Sequence, residues 1–433
     1  MTPDGLPSVQ NAARSSLNAE EAARGGLVKI GPVKRLLILG LEILFFPPVR
    51  GLAILGRLAS TKHQEEIRKI LVLEYWNLGD IVILLPFLQN LRTSFPKARI
   101  SLMVNPSVLP LLEGQELVDE LIPVRVPWAQ HFLRWKKYNP FSPLWINLAR
   151  TLLRARRQRF DLALTGRMDI RDNLLVWLIG ARRRVGYGVG GGGLFLTDVV
   201  TPDLRNPHRS QVWLRLLEYL EKPIADILPR LWLGEDERGF GARFLEENGI
   251  RENEFVLGVH PGARIPTRQW GDTNFAAVAA RLSSRFPLKI LWFRDPKQGE
   301  VPKSSLVPCI SVALPFRHFM AVLARCHLLV CNDSGPMHIA SALGVPVVAV
   351  FGPTKAEWFG PMGDENRVVI RPEFWCRPCF DSCIFDQPYC LRTVSTDQVV
   401  EATLSAINDV SLAAKQKMSN DTNRLSPAVL RRS

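Results

Sequence analysis

The chain has 433 residues, 47% hydrophobic and 22% charged, which excludes a largely disordered or low-complexity protein and leaves room for two domains with cores of their own. Lys and Arg number 55 against 41 Asp and Glu, a formal charge of +14. That charge favours anionic partners (a phosphorylated substrate, an acidic membrane surface or nucleic acid) without choosing among them.

Residues 1–34 are polar and rich in small residues, and the expectation is disorder. The first 26 lack the basic start and apolar core of a secretory signal, so a reducing cytosol is expected. Residues 35–66 then read as a membrane-associating or packing helical segment. From Leu36 to Phe46 the run is apolar apart from Gly40 and Glu42, and Pro47-Pro48 ends it. Such a helix is about 16 Å long, roughly half a bilayer core, which suits an interfacial helix better than a spanning one. Packing on the rest of the protein is the other way to shelter it.

From Lys69 the pattern alternates between strand and helix. Ile70–Tyr75 reads as a strand, Asn77–Asp80 as a turn, 81–95 as a helix and Ile100–Val104 as the next strand. Further strands are expected at 120–124 and 162–165. This alternation predicts a parallel sheet covered on both faces, with ligands gathering at the carboxyl ends of the strands. Asp80 stands at such an end. It reads either as a helix cap or as a carboxylate available as a general base. Between Arg125 and Trp145 basic and aromatic residues interleave, and an arginine-rich helix with Arg150, Arg154, Arg156, Arg157 and Arg159 is expected to follow. The glycine-rich run GYGVGGGGLF, 186–195, reads as a mobile loop.

The pattern restarts at Phe255. FVLGVHPGA reads as a strand ending in His260-Pro261-Gly262-Ala263. A loop carrying Arg268 and Trp270 leads into a helix, and LLVCND ends a later strand. In NDSGPMH, Asp333 and Ser334 fall at the strand end, and Gly335 lets a ligand approach the backbone. Pro336 suits the start of a helix that Gly344 stops. A helix N-terminus aimed at a crevice binds anions, and His338 lies in its first turn. Two such junctions in one half point to a phosphorylated ligand. Four cysteines, Cys376, Cys379, Cys383 and Cys390, crowd one loop. Their spacing admits a structural zinc or iron–sulfur site, but a metal is not the favoured reading; reduced thiols packed around the loop, or partial disulfides, are the alternatives.

Four stretches, in this order over about Lys69 to Glu401, resemble glycosyltransferase family 9, the ADP-heptose:lipopolysaccharide heptosyltransferases. They are ILVLEYWNLGDIVILLPFLQNLRTSFPKARI, VLGVHPGARIPTRQWGDTNFAAVAARL, NDSGPMHIASALGVPVVAVFGPT and CRPCFDSC with the later CL. The resemblance implies an α/β chain of GT-B type, two facing Rossmann-like domains with parallel sheets, here preceded by the apolar helical extension. It implies an acceptor domain over 67–235, a nucleotide-sugar domain over 236–396, a helix over 397–416 and a disordered tail over 417–433. It implies inversion at the anomeric carbon with no cofactor and no catalytic metal. Asp80 falls on the family's general base. Gly262, Thr267, Arg268, Asp333, Ser334, Gly335 and His338 fall on its donor-binding positions. Two departures stand out: Glu74 where the family commonly has arginine, and Arg268 in place of lysine.

The expected function is therefore transfer of a heptose from ADP-heptose to a lipopolysaccharide or lipid-linked glycan acceptor. The expected place is the cytoplasmic face of the inner membrane, with the protein held peripherally and no nucleic acid bound. Two alternatives remain at this stage: a UDP-hexose or UDP-N-acetylhexosamine donor on the same fold, and a basic nucleic-acid-binding protein using the arginine-rich helix.

Overall fold

Short runs such as KILVL, LLVCN and VVAVF carry apolar residues at consecutive positions, which suits strands covered on both faces. In the computed structural model of the protein they are buried strands. The structure describes Gly40, Asn139 and residues 66–129, 142–189, 191–203, 208–295, 308–379 and 382–424, the last with side chains to 412. The disorder expected over 1–34, and the helical extension over 35–66 except Gly40 and Glu66, lie outside the described residues. Among the described residues no helix is long and apolar enough to cross a membrane.

The chain divides into two compact units, with boundaries at Leu109/Pro110, Gln115/Glu116 and Ile227/Leu228. The first unit contains β1 (Lys69–Leu73), α1 (Leu78–Ser94), β2 (Arg99–Val104), β3 (Glu120–Pro123), α2 (Pro143–Arg157), β4 (Leu162–Leu164), α3 (Ile170–Ile179), β5 (Arg183–Tyr187), β6 (Asp198–Val200) and α4 (Arg209–Tyr219). Its six strands run in the order β3-β2-β1-β4-β5-β6, every pair parallel. The second unit contains α5 (Glu235–Glu247), β7 (Phe255–His260), α6 (Asp272–Ser283), β8 (Leu288–Phe293), β9 (Ile310–Val312), α7 (Phe316–Leu323), β10 (Leu328–Asn332), α8 (Gly335–Ala342), β11 (Val347–Phe351), β12 (Arg367–Ile370) and α9 (Thr396–Arg424). Its sheet, β12-β11-β10-β7-β8-β9, is again all parallel. Counted from its own first strand, each sheet has the Rossmann order 3-2-1-4-5-6.

Each unit has its own core. Leu71, Leu73, Met103, Leu175 and Val176 are buried together in the first. In the second, Trp270 packs edge-on against Phe275 at 5.0 Å, and its indole N–H donates to Val394 O at 3.0 Å. The second unit starts ahead of the expected 236 and also claims Pro110–Gln115. A long-range exchange accompanies the reassignment of Pro110–Gln115: Gln115 Nε2 donates to Trp232 O at 2.9 Å, and Trp232 N donates back to Gln115 Oε1 at 3.0 Å.

Two expectations are corrected. The final helix spans Thr396–Arg424, so the first part of the expected tail at 417–433 is helical. The glycine run is not wholly a loop: Gly186 and Tyr187 belong to β5, and Gly193–Phe195 forms a 3₁₀ turn. Gly191 and Gly192 take the left-handed φ values of 89° and 75° that glycine tolerates. Asn173 pins this stretch, its Nδ2 donating to Tyr187 O at 2.9 Å and Gly191 O at 3.0 Å.

In the second unit α5 and α7 cross closely because position 241 has no side chain; a Cβ there would lie 2.5 Å from Ala321 O. Gly241→Val should destabilise the protein by about 1–3 kcal/mol through overpacking. Chemical denaturation of the full chain checks this, and an unchanged midpoint would mean that the helices part without cost.

Candidate functional site

In a sheet of this order the strands on either side of the central pair progress in opposite directions, which opens a crevice beyond their carboxyl ends. In the first unit that pair is β1 and β4. The helix after β1 starts at Leu78, earlier than its apolar pattern suggests, so Asp80 lies in its first turn rather than in the preceding turn. Asp80 Oδ2 accepts from Asn77 N at 3.0 Å, half of a capping box. Its other oxygen, Oδ1, accepts from Arg167 Nη2 at 2.7 Å. Arg167 follows β4 and brings the second side of the crevice to Asp80.

Arg167 also engages Glu74, just past β1. Its Nε lies 3.2 Å from Glu74 Oε1 and 3.3 Å from Oε2. The guanidinium sits over the Trp76 ring, 4.6 Å from its centroid. Glu74 is 2% exposed, against 21% for the Asp80 side chain. Burial pushes Glu74 up to about 7, Arg167 opposes the rise, and Asp80 and Asp172 add to it. Burial opposes the charge on Arg167 as well, but Glu74 and Asp80 outweigh it and hold the guanidinium firmly protonated. Beneath this group Tyr75 Oη donates a short hydrogen bond to Asp172, and Trp128 Nε1 donates to Tyr75 Oη at 2.9 Å. Burial also raises Asp172, to about 6.

In the second unit the corresponding pair is β7 and β10. Gly262 follows β7, and Thr267 and Arg268 form the 3₁₀ turn Pro266–Arg268. Asp333 follows β10, Ser334 is the cap residue of α8, Gly335 is the first residue of that helix, and His338 is buried one turn in. Leu343 and Gly344 close α8; Gly344 has φ 78° and its N–H donates to Ser341 O at 3.1 Å. The structure joins two of the expected donor residues directly: Arg268 Nη1 is 3.2 Å from Asp333 Oδ2. Asp333 is 3% exposed, and Thr354, just past β11, donates its hydroxyl to the same carboxylate. Gly262 lets His260 come close, since a Cβ there would lie 3.1 Å from the imidazole. Burial pushes that imidazole down to about 4.

Three residues that local sequence patterns passed over organise this edge. Asn332 receives the Trp270 backbone N–H on Oδ1 at 3.1 Å and donates from Nδ2 to Pro261 O at 2.5 Å, which ties the loop after β7 to the end of β10. Thr354 fixes Asp333. Arg377 donates to Gly352 O at 2.5 Å, Thr354 O at 2.6 Å and Arg371 O at 3.0 Å, which fastens the cysteine-rich loop to the end of β11. Cys376, Cys379, Cys383 and Cys390 are free thiols, and burial raises Cys390 to about 12. Among the described residues no group of three or more His, Cys, Asp or Glu is arranged to hold a metal.

The profile of glycosyltransferase family 9 (heptosyltransferase) matches residues 145–388, more than half of the chain. The chain belongs to glycosyltransferase family 9. The Lipopolysaccharide heptosyltransferase 2 of Escherichia coli (strain K12) is 24% identical over 322 residues, 70% of this family member and 87% of that protein. A Lipooligosaccharide heptosyltransferase 2 of Campylobacter jejuni is 25% identical over 183 residues, 40% of this chain; the chain spans 57% of that relative's length. The structure of E. coli ADP-heptose lps heptosyltransferase II superposes with a TM-score of 0.60 at 20% identity, covering 81% of this chain and 100% of that one. Its likeness extends the family's α/β fold, GT-B in type, to this member.

Asn332 offers a test of the second edge that needs no substrate. Asn332→Ala leaves the buried Trp270 backbone N–H and Pro261 O without their partner. The expected loss of stability is about 1–3 kcal/mol, the cost of an orphaned buried polar group. Thermal unfolding checks it, and a variant as stable as the wild type would show that the loop after β7 and the end of β10 hold without this link.

Proposed function

We propose that this family 9 member transfers a heptose from ADP-heptose to a lipopolysaccharide acceptor, inverting the anomeric carbon, with Asp80 as the general base. The observation that carries the donor assignment is the Arg268–Asp333–Thr354 group beside the start of α8. Asp333 holds a guanidinium next to a helix N-terminus, and together these form a place for a diphosphate. The relatives, a lipopolysaccharide and a lipooligosaccharide heptosyltransferase by name, suggest the sugar and the acceptor class.

On this reading the second unit binds the nucleotide-sugar and the first binds the acceptor. The acceptor hydroxyl gives its proton to Asp80 as its oxygen attacks the anomeric carbon. The bond to the diphosphate breaks, and Arg268 and the α8 amides stabilise the charge that gathers there. The nucleotide-sugar is a substrate, and no cofactor enters the scheme. An acceptor anchored in lipid and a +14 chain both favour work at the inner membrane surface, on its cytoplasmic face.

Thermal shift against ADP-, UDP-, GDP- and CDP-sugars tests the donor class, because a ligand of the native state raises the melting temperature. ADP-heptose should stabilise most. Stabilisation by a UDP-sugar instead would move the activity to a hexose or N-acetylhexosamine donor. Salt-sensitive binding of DNA with no donor response would favour the nucleic-acid reading.

Two substitutions test the residue roles. Asp80→Asn should leave ADP-heptose affinity near wild type and lower turnover by roughly 10²–10⁴; an Asp80→Asn enzyme at wild-type rate would leave Asp80 a capping residue only. Arg268→Ala should weaken donor binding and slow transfer together, since a charge-assisted contact is lost. Calorimetry and initial rates read both, and unchanged values would place the diphosphate elsewhere.

A further inference from the structure

The first unit holds a charged group whose role the general-base assignment leaves open. A single guanidinium, Arg167, serves two carboxylates. Its Nη2 binds Asp80 Oδ1 at 2.7 Å, and its Nε binds Glu74 at 3.2 and 3.3 Å. The guanidinium is planar, so Nε and Nη2 point along fixed directions and the two carboxylates share one charge. Glu74 is 2% exposed and lies directly after β1, where its own loop holds it: Oε1 also accepts from Trp76 N at 3.2 Å. The outer carboxylate, Asp80, has 21% of its side chain exposed and is the one that a substrate reaches.

A full ion pair with arginine is a poor state for a base, because the guanidinium stabilises the carboxylate against taking a proton. Glu74 offers that guanidinium a second anion. We infer that Glu74 is a positioning residue that draws the charge of Arg167 away from Asp80, so that Asp80 accepts the acceptor's proton efficiently only while Glu74 is itself ionised. The role rests on Asp80 being the base.

The charged groups around Glu74 come from four elements: Asp80 from α1, Arg167 from the turn after β4, Asp172 from α3 and Arg209 from α4. Their sum leaves Glu74 titrating near neutrality, with burial as the main cause, raised from 4.5 to about 7. The sign follows. Below about 7 Glu74 is protonated, Arg167 belongs wholly to Asp80, and turnover falls. Above it Glu74 is charged and turnover rises. Glutamine at 74 copies the protonated state at every pH. Asp172, raised to about 6, is the neighbour whose titration must be told apart.

The experiment measures kcat and the KM for ADP-heptose in the full chain from about pH 5.5 to about pH 8.5, where the kcat profile reports groups of the enzyme–substrate complex. The set is the wild type, Glu74→Gln, Arg167→Lys, Asp172→Asn and Asp80→Asn, each checked for a folded circular dichroism spectrum. The wild type should show a limb rising through about pH 7. Glu74→Gln should lose that limb, stay about tenfold below the wild-type plateau and keep the donor KM. Lysine at 167 lacks the planar fork whose Nε and Nη2 meet the two carboxylates along fixed directions, so the Arg167→Lys limb should vanish as well, which covers the case of a Glu74→Gln chain that does not fold. Asp172→Asn should keep the limb. A Glu74→Gln enzyme with the wild-type plateau and limb, or a limb that disappears only in Asp172→Asn, overturns the inference while an inactive Asp80→Asn leaves the base standing. An Asp80→Asn enzyme at wild-type rate overturns both, and so identifies the base assignment as the failure.

Discussion

The structure rests on one constraint: parallel strands all run out at the same edge, and whatever their turns carry is crowded there. Where the strand order reverses, two such turns open away from each other, and the side chains beside that gap are half withdrawn from water. Charge in such a place must be paired. Both sheets meet the demand with an arginine and a carboxylate brought from two adjacent strands, Arg167 with Asp80 beside β1 and β4, and Arg268 with Asp333 beside β7 and β10. The sheet order comes first and the charge pairs are its consequence.

The two pairs are nevertheless built for different work. In the second unit the carboxylate is the buried member, and the Thr354 hydroxyl fixes it, so the arginine is presented at the start of a helix. That is an arrangement for holding an anion. In the first unit the arginine is held between two carboxylates, one buried and one open, so the accessible group is an acid or base rather than a cation. The contrast follows from which partner the burial falls on. On the proposed function, proton transfer is assigned to the first arrangement and diphosphate binding to the second.

Much of this was legible in the sequence because it is local. The stretch from Leu329 to Thr354 alone specifies a buried strand, a cap, a helix start, a glycine stop and a second strand, and each is present. Positions of single site residues followed from it. Pairings were harder, because they depend on which strands become neighbours. Arg167 lies 87 residues beyond Asp80, and nothing in its own surroundings marks it as a partner of that carboxylate. The Gln115–Trp232 exchange, 117 residues apart, accompanies the placing of six residues in the other unit and was hidden for the same reason. The helix after β1 began three residues earlier than its apolar period suggests, since Asn77 and Asp80 cap it and capping does not show in hydrophobic spacing. In the glycine run, composition pointed to mobility, whereas Asn173 supplies the tether that composition cannot show.

The measurement that tests the account most directly is a crystal structure of the chain with ADP-heptose bound. The account predicts that diphosphate oxygens lie within hydrogen-bond reach of the Arg268 guanidinium and of the backbone amides that open α8, with Asp333 still fixed by Thr354. A diphosphate bound away from both, with Arg268 still paired only to Asp333, would contradict it.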